Sequence, residues 1–154
     1  MIIPAVNQCD KKSAFTWITF AALLIADRVT KFLAVFYLSE TIHENARFFS
    51  LSLHHNHGIA FSLLRGFPTV SLMASILGIA VLGGLCLKNA SLRSSKGVLF
   101  LWAGAIGNLI DRLRYGYVID WLYIGLYINL ADIWLCTGCL MIFFHFFSLR
   151  KSAG

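Results

Sequence analysis

Charge is scarce in this sequence. Of its 154 residues, 13 are Lys or Arg and 7 are Asp or Glu, together 13%, where a soluble domain carries about a quarter. Hydrophobic residues make up 58%. No soluble fold of this length has interior enough to hide so much apolar surface, so the surrounding solvent is expected to be lipid. Other absences narrow the field. The net charge of +6 does not imply nucleic acid, because the basic residues form no stripe with interleaved aromatics and fall in short clusters between apolar runs, as loop charges that set membrane topology do. Cys9, Cys86, Cys136 and Cys139 do not form two CxxC pairs at zinc-finger spacing, which argues against a metal framework and a disulfide scaffold. Internal repeats and low-complexity tracts are missing too.

What is present is a series of long apolar segments. The sequence predicts an all-α membrane protein, one integral membrane domain over 1–154, with spans at about 14–38, 67–87, 98–113 and 131–149 and a small β or loop element outside the bilayer. The run 13–26 follows Lys11 and Lys12 like a signal peptide, but no small-x-small site ends it, and Asp27, Arg28 and Lys31 interrupt it. A retained first helix is expected. Residues 48–53 alternate as a short strand would, and 88–97 is a polar basic loop.

Lys11, Lys12, Lys88, Arg93, Lys96, Arg150 and Lys151 all fall on one side of a four-span chain, which is expected to be cytoplasmic and to hold both termini. Every carboxylate except Asp10 falls on the other side, together with Arg47, Arg65, Arg112 and Arg114. Any chemistry is therefore expected at the outer face.

Three of the seven carboxylates, Asp111, Asp120 and Asp132, fall over 104–132 between strongly apolar segments. Gly104, Gly107, Asn108 and Asp111 recur at three and four residues and share a helix face. Small residues there allow close helix approach. Asp111 and Arg112, at the end of that helix, are expected to snorkel to the surface and brace the loop. Asp27 and Lys31 lie four apart and are expected to pair.

Asp120 and Asp132 flank an apolar, aromatic stretch with Gly125 near its middle, where a turn would bring the two carboxylates together. Two close carboxylates cannot both ionise easily, so one keeps a proton, and the pair can supply a base for water and an acid for a leaving amine. The bland alternative is that Asp132 merely caps a helix N-terminus. Asn56 and Gly58 offer an amide beside a conformationally free backbone.

A zinc site on His54 and His57 is a rival, weakened by the lack of an HExxH pattern. A channel or transporter is another, although its polar groups would run through the bilayer depth and not gather at one face.

Five fragments, DRVTK (27–31), NHGIAF (56–61), GNLIDR (107–112), GYVID (116–120) and NLAD (129–132), in this order, resemble the bacterial lipoprotein signal peptidases, or type II signal peptidases. The resemblance covers the whole four-span layout. It implies an aspartyl endopeptidase of the inner membrane that needs no metal or cofactor. Its substrates would be lipid-modified prolipoproteins, cut just before the lipidated cysteine, and the cyclic peptide globomycin would inhibit it. By the resemblance Asp120 and Asp132 match the catalytic dyad. Asp27, Lys31, Asn56, Asn108, Asp111, Arg112 and Asn129 match the polar residues around it. The partners implied are prolipoprotein substrates and membrane lipids, not nucleic acid, with the protein acting as a monomer. The interval between the two aspartates is shorter here than is usual in the family.

Overall fold

The computed structural model describes residues 8–38, 49–58 and 67–152. Of the segments singled out above, 39–48 with Arg47, and 59–66 with Arg65 and the end of NHGIAF, lie outside the described residues. The elements in order are α1 (Gln8–Tyr37), β1 (Ser50–Asn56), α2 (Pro68–Lys88), α3 (Ala90–Ser94), α4 (Gly97–Tyr115), β2 (Val118–Tyr123), β3 (Tyr127–Ile128) and α5 (Leu130–Ser152). Each of the four long helices covers one of the expected apolar segments. α1 begins earlier than expected, and β1 runs on past the predicted 48–53 to take in His54, His55 and Asn56. The polar 88–97 segment is not all loop, because Asn89 Oδ1 accepts from the Leu92 N–H at 3.0 Å and starts the short α3.

α4 is the hub, packed against α1, α2 and α5. Its contact with α5 is backbone to backbone. A Cβ at Gly97 would lie 2.5 Å from the Gly138 carbonyl oxygen, and one at Gly104 would overlap the Ala131 carbonyl. This bears out the small-residue face expected from Gly104 and Gly107.

β1, β2 and β3 form an antiparallel sheet in that order. The chain enters β1 from the end of α1 and leaves it towards the start of α2, and β2 and β3 link the end of α4 to the start of α5. The sheet therefore caps one end of the bundle. Gly116 (φ 78) ends α4 in the left-handed conformation, and its N–H donates to the Arg112 carbonyl at 3.0 Å. Gly125 (φ 89) makes the turn between β2 and β3. Both conformations are strained for any residue with a Cβ.

Burial is inverted relative to a soluble protein. The largest fully buried side chains are polar or charged, with Lys31, Asn129, Asp27, Asp111 and Asp120 foremost. Phe15, Trp17, Phe32, Phe36, Phe143 and Phe147 are exposed, each more than 60%. In water so large an apolar surface would be untenable. Among the described residues, Pro68–Lys88 and Leu130–Lys151 are long and apolar enough to cross a membrane, and only 11% of each is buried within the protein, unlike the core helix of a soluble fold. α1 and α4 fall short of that test; each carries charged residues towards the capped end.

Candidate active site

The polar side chains form two layers at the capped end of the bundle. The inner layer is ionic. Asp27 and Lys31 pair as expected, Nζ to Oδ2 at 3.2 Å, and Lys31 also reaches Asp111 Oδ2 at 2.8 Å. Arg28 pairs with both Asp27 and Asp111. Two cations thus face two carboxylates, and neither carboxylate is exposed at all. Isolated charges could not persist in such a place; paired and hydrogen-bonded ones can. The expectation that Asp111 snorkels outwards is corrected here. Cations on α1 meet it inside the bundle, so it has no need of water. Arg28 was not singled out as a site residue by sequence reasoning; it stands beside Asp27 in the chain, but its tie to Asp111 is visible only in the fold.

The outer layer carries Asp120 on β2 and Asp132 on the first turn of α5. Asn129 joins them. Its Nδ2 donates to Asp120 Oδ1 at 2.6 Å, while its backbone N–H donates to Asp132 Oδ2 at 3.1 Å. Asn129 Oδ1 accepts from the Asp132 N–H at 3.1 Å, so Asn129 and Asp132 cap α5 reciprocally. The capping alternative is thus realised with one oxygen of Asp132, whereas Oδ1 accepts from Asn108 Nδ2 at 2.8 Å. Asn56 Nδ2 donates to the second oxygen of Asp120 at 2.9 Å. Among the described residues no Lys or Arg makes an ion pair with either carboxylate. Burial pushes the Asp120 carboxyl up to about 7, the charge of Asp132 adds to this, and the bonds from Asn56 and Asn129 oppose it.

Lys31 Nζ donates to Asn108 Oδ1 at 2.9 Å, which ties the layers together and fixes which way the Asn108 amide points. Arg112, half-buried, donates to the Gly58 carbonyl at 2.9 Å and to the Asn108 carbonyl at 3.4 Å. The Gly58 N–H donates to Asn56 Oδ1 at 2.9 Å, so Arg112 steadies the turn that aims Asn56 at Asp120. All ten residues singled out from the sequence therefore belong to one connected network. The histidines do not converge. His54 stacks on Tyr127, and His55 and His57 lie against Tyr117. Among the described residues no three His, Cys, Asp or Glu side chains gather as a metal would require.

A cavity of about 350 Å³ opens beside Asp132. It runs along the bundle between Ala74 and Gly78 of α2, Leu101 and Ala105 of α4, and Leu135 of α5, with Asn108 and Arg112 also in its wall.

Residues 19–148 match the family described as signal peptidase (SPase) II. The chain belongs to that family. Curated relatives of this signal peptidase II member include the lipoprotein signal peptidases of Fusobacterium nucleatum, 37% identical with 86% of each chain covered, and of Enterococcus faecalis, 37% identical with 86% of this chain and 88% of the other covered. The lipoprotein signal peptidase of Dehalococcoides mccartyi is 33% identical, covering 90% and 92%. A bacterial membrane enzyme solved by the in meso method at 2.3 Å resolution superposes with a TM-score of 0.71 and 25% identity, over 92% of this chain and 90% of that one. A second, at 1.9 Å, gives 0.67 and 25%, over 85% and 91%.

Proposed function

We propose that this protease is an aspartyl endopeptidase of the bacterial inner membrane that removes signal peptides from lipid-modified prolipoproteins, cutting just before the diacylglyceryl-cysteine. The observation that carries the proposal is the outer layer: two carboxylates, Asp120 fully buried and Asp132 partly so, held by one asparagine, wrapped in amides and with no Lys or Arg paired to them among the described residues. Such a pair holds one proton between them near neutral pH. One carboxylate takes a proton from water as its oxygen adds to the scissile carbonyl carbon. The other gives its proton to the amine as the C–N bond breaks. All four long helices cross the bilayer, both termini are cytoplasmic, and the sheet and the dyad lie at the outer face. The apolar cavity along α2, α4 and α5 takes the hydrophobic part of the signal peptide, which enters laterally from the bilayer and lays the scissile bond beside Asp132.

The purified protein should cleave a lipidated precursor in the presence of a chelator, leave the cysteine at the new N-terminus, and stop on addition of globomycin. Cleavage abolished by the chelator, or no cleavage of any lipidated precursor, would rule the proposal out.

A further inference from the structure

The two carboxylates of the inner layer do more than neutralise cations. Asp27 Oδ1 accepts the backbone N–H of Ala131 at 3.0 Å, the residue just before Asp132. Asp111 Oδ2 accepts the backbone N–H of Ile119 at 3.3 Å, the residue just before Asp120. Each carboxylate of the inner layer thus holds the peptide that leads into one carboxylate of the outer layer. Arg28 grips both. Its Nη1 donates to Asp111 Oδ1, its Nη2 and Nε donate to Asp27 Oδ2, and Nη2 also donates to the Gly107 carbonyl at 2.8 Å. α1 and α4 approach closely enough for this because Gly107 has no side chain; a Cβ there would lie 2.9 Å from Asp27 Oδ2.

We propose that Arg28 is a positioning residue for the reaction: its guanidinium fork locks Asp27 to Asp111, and through the Ala131 and Ile119 amides sets the separation of Asp132 and Asp120. This rests on the aspartyl dyad proposed above. Lys31 cannot replace Arg28, because its single amine is already shared among Asp27, Asp111 and Asn108, and an ammonium lacks the planar fork that spans two acceptors. A displacement of about an ångström between reacting groups can lower a rate about a hundredfold.

The test compares purified Arg28→Lys and Arg28→Gln with the parent for kcat and KM on a lipidated precursor, for melting temperature, and for amide hydrogen exchange at Ile119 and Ala131. The expected result is a kcat lowered by about ten- to a hundredfold in both folded variants, KM within about twofold, and faster exchange at those two amides while α2 is unchanged. If Arg28→Gln does not fold, Arg28→Lys, which keeps the charge, decides alone. A merely structural role would lower the melting temperature and leave kcat per folded molecule and the two amides at parental values; that result overturns the proposal. Asp120→Asn is run alongside. If it is inactive while the Arg28 variants are normal, only the clamp fails; if it cleaves normally, the dyad fails and takes the clamp with it.

Discussion

The two polar layers hold the same number of carboxylates and treat them in opposite ways. Asp27 and Asp111 are matched by Arg28 and Lys31, and both serve as hydrogen-bond acceptors for backbone amides. Asp120 and Asp132 are matched by the neutral amides of Asn56, Asn108 and Asn129. An amide orients a carboxylate without abolishing its appetite for a proton. One layer is therefore suited to architecture and the other to proton transfer, although only a short reach of α1 and α4 separates them. Exchanging the partners should exchange the properties, and the expected outcomes below follow from that contrast.

The largest effect should come from the outer layer. Asp120→Asn or Asp132→Asn removes a proton carrier while keeping shape and most hydrogen bonds, and should lower cleavage of a lipidated precursor by on the order of 10³-fold or more. The protein should still accumulate in the membrane at the parental level. Near-parental cleavage by either variant would remove the distinction between the layers.

The inner layer should answer differently. Lys31→Met leaves Asp27 and Asp111 with one cation between them in a site closed to water, and breaking a buried pair in this way costs about 3–5 kcal/mol. Thermal unfolding in detergent should show a large fall in midpoint. Gly104→Leu, which drives a side chain into Ala131 and Leu135, should prevent α4 and α5 from packing. A Lys31→Met protein as stable as the parent would mean that the four-charge cluster is not what it looks like.

pH separates the layers next. Between the ordinary carboxylate range and about 7, folded Asp120 holds a proton that the unfolded chain has released. Stability therefore falls as pH rises through that window, by at most about 1.4 kcal/mol per unit. Asp120→Asn removes this loss. Melting scans should show the inactive variant gaining on the parent from pH 5 to pH 8. A constant offset between the two across that range would place the proton elsewhere.

Much of this was legible in the sequence because lipid makes polar residues conspicuous. Where 13% of residues are charged, a carboxylate inside an apolar segment has few possible explanations, and helical spacing assigned Gly104, Gly107, Asn108 and Asp111 to one face. The turn at Gly125 that returns Asn129 to Asp120 could be read from composition. Contacts between distant segments could not. Asp111 was expected at the surface because it stands with Arg112 at a helix end that would reach for water; its partners lie 80 and more residues away on α1. Arg28 went unassigned because its role depends on Asp111 and Gly107, which no local pattern joins to it. Asn56 and Asn129 were matched to the surroundings of the dyad; that both side-chain amides donate to Asp120 is read from the structure.

The smallest effect belongs to Arg112, which among the described residues makes no ion pair with any of the four carboxylates and hydrogen-bonds to backbone. It donates to the carbonyls of Gly58 and Asn108, so Arg112→Gln frees the 56–58 turn without taking Asn56 away. A hydrogen bond from the half-buried Arg112 guanidinium to a carbonyl is worth about 1–2 kcal/mol. That predicts a loss of roughly five- to thirtyfold in kcat/KM, far short of the loss from either outer aspartate. Asn56→Leu should lower activity at least as much, since it deletes the contact that Arg112 only steadies. Combining the two substitutions should cost little more than Asn56→Leu alone, because once the amide is gone the turn has nothing left to aim. Full additivity in that cycle would give Arg112 a separate role, such as direct contact with the substrate from the cavity wall.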